Sequence, residues 1–174
     1  MLKTLFFITC AMVMGVAVAA TYYWWPIATI SSDKQVTHLI LYKASRRLAV
    51  MSGEQELVRY PVSLGRQPRG DKVCWGDNKT PEGSYILDWR NPDSCCFRSF
   101  HVSYPDAGDL AAATERGCSP GGDIMIHGMS NGLGWIGRFH RWIDWTHGCI
   151  AVTDDEMAQL WAAVPDGTPI DILP

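Results

Sequence analysis

At 174 residues the chain is long enough for one domain with a proper core and short for two. Its formal net charge is −3 and no run of lysine or arginine occurs, which excludes the basic footprint of a nucleic-acid binder. Eight tryptophans in so short a chain suggest stacked surfaces or a groove as well as a core.

The first 25 residues read as a targeting segment. Lys3 supplies a short positive start, Leu5 to Ala20 is an apolar run, and no charged residue then occurs until Asp33. Ala17-Val18-Ala19 offers a small-x-small cleavage site, whereas Tyr22-Tyr23-Trp24-Trp25 suits the end of a retained membrane anchor. Either reading exports the rest of the chain, to the periplasm or cell envelope, with membrane contact through this segment only. Cys10 makes a poor lipoprotein box, because most of the apolar run follows it.

Residues 26–35 read as a linker and 36–174 as the folded domain. Three β-rich runs follow: Val36 to Lys43, Leu48 to Met51 and Leu57 to Leu64, separated by turns at Ser45-Arg46-Arg47 and Gly53-Glu54. Gly65 to Gly83 is a long loop dense in glycine, proline and Asx residues, of a length usually kept for function or tied down by other contacts. Tyr85 to Trp89 and Phe100 to Tyr104 resume strands, and Asp109 to Arg116 carries a helical pattern stopped by Gly117. Ile124 to His127 is a buried strand, with Ile124 and Ile126 on one side and Met125 and His127 on the other. An aromatic loop runs from Asn131 to Ile143. Ile150 to Val152 is a short strand, Thr153 and Glu156 form a capping box for a helix to about Val164, and Thr168 to Leu173 is the last strand. The sum is a mostly β domain with one or two short helices.

Outside the targeting segment lie five cysteines, an odd number: Cys74, Cys95, Cys96, Cys118 and Cys149. In an oxidising compartment the leftover thiol is a candidate reactive group. Adjacent Cys95 and Cys96 seldom bond to each other, and pairing among Cys74, Cys95, Cys96 and Cys118 stays open.

The chemistry concentrates in Thr146-His147-Gly148-Cys149. A thiolate is the strongest common nucleophile among side chains, and it suits attack on an amide carbonyl. Gly148 removes a Cβ beside the thiol, so a carbonyl can approach the backbone. His147, two residues from Cys149, faces the same way in extended chain and reads as a supporting or substrate-binding residue. Thr146 reads as a local hydrogen-bonding hydroxyl. A lone histidine at a strand end, such as His127, is ordinarily structural, and its reading as a base rests on the family pattern below. Gly132 to Gly137 matches G-x-G-x-x-G, but no strand precedes it, so it does not read as a dinucleotide site. His127, His140, His147 and Cys149 lack the spacing of a metal site.

His127, eighteen intervening residues, then Thr146-His147-Gly148-Cys149 resembles the signature of the L,D-transpeptidase family, the YkuD-type catalytic domain of bacterial wall enzymes. The loop from Lys72 to Tyr85, Ser103-Tyr104-Pro105 and Gly121-Gly122-Asp123-Ile124 are similar to the family's too, so the likeness spans about 36–174. Ala151 departs from it, since many members carry Asn or Arg there. The resemblance implies a β-sandwich-like mixed-sheet fold and no metal or organic cofactor. It implies that Cys149 attacks a peptidoglycan tetrapeptide stem and that His127 takes the thiol proton, oriented by the Gly128 carbonyl. Backbone N–H groups around Gly148 would hold the oxyanion, and Thr146, His147 and Tyr104 would contact substrate. The acyl group then passes to an amine, forming a third-to-third cross-link or attaching a wall lipoprotein. Two alternatives share these residues: a hydrolase using water, either an L,D-carboxypeptidase or an amidase releasing wall-bound protein, and a non-catalytic wall-binding module.

Overall fold

The computed structural model describes residues 2–174; the side chains of 2–6 and 9, with Lys3 and Leu5 of the targeting segment, lie outside the described part. A helix, α1 (Leu2–Trp24), precedes the domain. Among the described residues no helix is long and apolar enough to cross a membrane.

The domain is one mixed sheet of eight strands: β1 (His38–Tyr42), β2 (Arg47–Ser52), β3 (Gln55–Pro61), β4 (Gly83–Asn91), β5 (Ser99–Val102), β6 (Met125–His127), β7 (Ile150–Ala151) and β8 (Thr168–Leu173). Their order is β3-β2-β1-β8-β4-β5-β6-β7. The β1–β8 and β6–β7 pairs are parallel and the others antiparallel. Period-2 alternation makes the strands: Leu39 and Leu41, Val58 and Tyr60, and Ile170 and Ile172 turn inward and are almost wholly buried. Each such side chain contributes roughly 1.5–3 kcal/mol on burial. Two helices complete the domain, α2 (Ala107–Glu115) and α3 (Asp154–Ala163). Met157 and Leu160 of α3 enter the core.

Most expected elements are present with ends shifted by a residue or two. The helix expected from Asp109 starts at Ala107, because Asp106 caps it and Asp109 bonds back to the Asp106 N–H. The Thr153–Glu156 capping box forms with both of its bonds. Inside the expected aromatic loop, Gly134–Trp142 winds into 3-10 turns broken at Gly137, which has φ +51°.

The sheet curls. Its two outer strands, β3 and β7, meet through the chain just past β3: Ser63 and Ala151 exchange backbone hydrogen bonds of 3.0 and 2.8 Å. That closure lays residues 63–66 along the stretch from Asp144 to Ala151.

Candidate active site

Cys149 sits on a turn held from three sides. Upstream, Asp144 accepts from the Leu64 N–H at 2.9 Å and pairs with Arg46 at 2.9 Å. The Thr146 N–H donates to Leu64 O and the Arg66 N–H to Thr146 O, tying the turn's start to the 63–66 segment. Within the turn, the Thr146 hydroxyl donates to Cys149 O at 2.8 Å and accepts the Gly148 N–H at 3.1 Å. Gly148 has φ +134°, and a Cβ there would lie 2.6 Å from Lys79 O. Glycine is therefore required by both conformation and space.

His127 ends β6, opposite Ala151 of β7 in parallel register. Cys149 lies two residues before Ala151, so His127 and Cys149 are diagonal neighbours on one face while Ile126 and Ile150 fill the core behind them. His127 Nδ1 is 2.6 Å from the Gly128 carbonyl. A carbonyl only accepts, so Nδ1 carries the proton and Nε2 presents a lone pair. Trp145 packs edge-on against the ring, with centroids 5.6 Å apart. Gly128 is a glycine because a Cβ would come 2.7 Å from an Asp154 carboxylate oxygen and 2.9 Å from Phe97. That carboxylate, at the start of α3, accepts the Met129 N–H at 2.7 Å and fixes the loop that carries the orienting carbonyl.

Both groups rest uncharged. Burial pulls His127 below the ordinary imidazole range, against the opposing effect of the Gly128 carbonyl. Burial pushes the Cys149 thiol up, against the Met125 N–H and the charge of Lys72. The Cys149 S–H donates to Asp123 O at 3.6 Å. The site thus holds a neutral thiol on the turn into β7 and a neutral imidazole at the end of β6.

The expected long loop forms the near wall and is tied down heavily. Lys72, almost wholly buried, bonds Asp77 at 2.9 Å and Cys74 O at 3.1 Å, and lies 5.9 Å above the Tyr104 ring. Burial alone would raise the Asp77 carboxyl, but the Lys79 N–H, the Lys72 ammonium and the Val73 and Cys74 N–H groups hold it below the usual range. The open disulfide question closes here: Cys74 bonds Cys118. Cys95 and Cys96 are free thiols 3.3 Å apart, and Cys149 is free.

The expected site residues therefore separate. Gly148 and Cys149 share the turn that leads into β7, and His127 and Gly128 lie at the end of the adjacent strand β6. His147 is exposed at the rim, with Nδ1 2.8 Å from Asn78 Oδ1. Thr146 and Tyr104, expected as substrate contacts, are buried with their hydroxyls bonded inside the protein, that of Tyr104 to Pro120 O at 3.2 Å. Those bonds brace the turn and the wall. The Gly148 N–H, expected at the oxyanion, is donated to Thr146. Sequence reasoning missed Asp144, Gly65, Lys72 and Asp154. Only Gly65 left a local signal, at the mouth of the glycine-rich loop. The G-x-G-x-x-G run serves packing: a Cβ on Gly134 would lie 2.3 Å from an Asp154 oxygen. Among the described residues no group of three or more His, Cys, Asp or Glu converges as a metal site needs.

The site thus presents a free thiol on a glycine-relieved turn, with a histidine at the end of the neighbouring strand of a curled mixed sheet. The chain belongs to the L,D-transpeptidase catalytic domain family (YkuD), whose family model matches residues 37–172. Its fold is similar to that of Bd1075 of Bdellovibrio bacteriovorus, at 26% identity and TM-score 0.55, covering 84% of this chain and 51% of that one. It is similar to the helical cell shape determining protein Pgp2 of Campylobacter jejuni, at 24% identity and TM-score 0.59, covering 80% and 48%. It is also similar to an L,D-transpeptidase of Mycobacterium smegmatis, at 15% identity and TM-score 0.53, covering 78% and 58%. The chain thus spans about half the length of the first two. No curated protein matches it.

Proposed function

We propose that the protein is an exported cysteine L,D-transpeptidase acting on peptidoglycan stem peptides. The carrying observation is a free Cys149 thiol on the turn that leads into β7, next to β6, whose terminal His127 has its Nδ1 locked by the Gly128 carbonyl at 2.6 Å. Cys149 Sγ attacks the carbonyl of the third stem residue as its proton passes to His127 Nε2. The C–N bond to the terminal D-Ala then breaks, and the imidazolium returns the proton to the departing amine, leaving a thioester. An amine from a second stem, or from a wall lipoprotein, attacks the thioester and regenerates the thiol. With the Gly148 N–H held by Thr146, the oxyanion falls to the neighbouring N–H groups of the turn. His147, exposed beside Asn78, meets the stem peptide, with Thr146 and Tyr104 lining that side of the site from within.

Incubation with tetrapeptide muropeptides and mass spectrometry tests this. A cross-linked dimer, absent with Cys149→Ala, is expected. A shortened monomer instead means that water is the acceptor and the protein is a hydrolase. Unchanged substrate with folded protein makes the domain a wall-binding module and overturns the proposal.

A further inference from the structure

The 133–143 segment is clamped to the end of α1 and turns its largest apolar side chains outward. The Tyr23 hydroxyl donates to Trp135 O at 2.9 Å, and Arg138 Nη1 donates to Tyr22 O at 3.1 Å. The Tyr23 and Phe139 rings stack at 5.9 Å. Gly137 permits this approach, since a Cβ there would lie 2.9 Å from the Tyr23 ring. What faces away from the clamp is open: Trp135 is 71% exposed, Trp142 72% and Ile143 68%, beside Trp24 at 79%. Clustered apolar exposure on this scale marks an interaction surface.

We infer that this patch is a membrane-docking surface, whose partner is the headgroup–acyl boundary of a lipid bilayer. Three observations choose that partner. The patch is continuous with α1, which exposes Ile8, Met12, Val13 and Val16 and whose apolar residues run all around the helix. No charged side chain occurs between Thr4 and Ser32. The patch itself is built from tryptophan and tyrosine, which favour the interfacial layer, with Ile143 and the half-open Leu133 among them. Membrane contact therefore extends from the N-terminal segment onto the domain. Because Phe139 and Trp142 pack edge-on at 5.0 Å and Trp145 of the same stretch touches the His127 ring, docking here holds the catalytic face at a fixed attitude to the bilayer.

The full chain in phosphatidylcholine vesicles with brominated acyl chains provides the test, through quenching of tryptophan emission. Trp135→Phe/Trp142→Phe should remove about half of the lipid-quenchable emission, Trp24 and Trp25 retaining the rest. Trp75→Phe, equally exposed but on the loop across the site, should remove none. Unchanged quenching in the double variant overturns the inference. The wild-type chain supplies a second reading that needs no substitution: vesicles should slow amide exchange across 133–143, and equal exchange with and without lipid likewise sinks the docking surface.

Discussion

The Thr146 hydroxyl spans the turn that presents Cys149, donating a hydrogen bond to the Cys149 carbonyl at 2.8 Å and accepting one from the Gly148 N–H at 3.1 Å. One buried side chain thus sets both the height of the Cys149 thiol and the shape of the backbone before it. Thr146→Val keeps the volume and removes both bonds, leaving a buried donor and a buried acceptor unsatisfied, at about 1–3 kcal/mol each. Carbapenem acylation of Cys149, followed by intact mass, should slow by roughly 10–100-fold, because displacement of about 1 Å costs on that order. Thr146→Ser should recover most of the rate. If the valine variant acylates at the wild-type rate, the hydroxyl does not position the thiol.

Gly65 is where the closing segment passes beneath the turn. A Cβ there would sit 2.2 Å from Asn78 O and 3.1 Å from Gly148 Cα, both backbone atoms that cannot swing aside. Gly65→Ala should therefore destabilise by about 1–3 kcal/mol, as overpacking does. Midpoint temperature should fall by several degrees, at roughly 2–4 °C per kcal/mol for this chain length. Acylation should slow as well, since Asn78 also bonds His147. An unchanged melting curve would show that the loop has room to give.

Local pattern carried much of this architecture. Alternating apolar residues disclosed the strand regions, Thr153 and Glu156 disclosed the start of α3, and His127 with Thr146 to Cys149 disclosed the family. What stayed hidden was long-range. Nothing near Ser63 announces that it will close the sheet against Ala151, and nothing in β1 announces β8 as its parallel neighbour. Asp144 and Asp154 look like ordinary surface carboxylates until the fold brings the Leu64 and Met129 N–H groups to them. Cysteine spacing could not choose Cys118 for Cys74, because the choice lies in where the chain returns after α2.

Burial sets the pH response of the site, and the sign follows from which form reacts. His127 must be neutral to accept a proton, and its pKa lies below the ordinary value of about 6.5. The acylation rate should therefore hold level as pH falls through 6.5 and decline only below it. On the alkaline side the raised Cys149 thiol delays direct ionisation, so no thiolate-driven rise should appear below about pH 8.5. Second-order acylation rates from pH 5 to 9 check both limbs. An acid midpoint above 6.5 would mean that the base is charged at rest and the neutral-pair reading fails.

The Cys74–Cys118 bridge joins the active-site loop to the segment that follows α2, across 44 residues of sequence. Around it Trp75 N–H donates to Ser119 O and Tyr104 Oη to Pro120 O, and the chain then runs to Asp123, whose carbonyl accepts a hydrogen bond from the Cys149 thiol. Stability and thiol placement therefore share one strap. Cys74→Ser/Cys118→Ser should lower unfolding stability by about 2–5 kcal/mol, the usual range when a long loop is released. Denaturant melts with and without reductant should reproduce that loss in the wild type, and the double variant should not respond to reductant. Alkylation of the unreduced, denatured chain should mark four of its six cysteines: Cys10, Cys95, Cys96 and Cys149. Two marked cysteines would mean that Cys95 or Cys96 is bridged as well, and an unmarked Cys149 would remove the nucleophile on which the proposed chemistry stands.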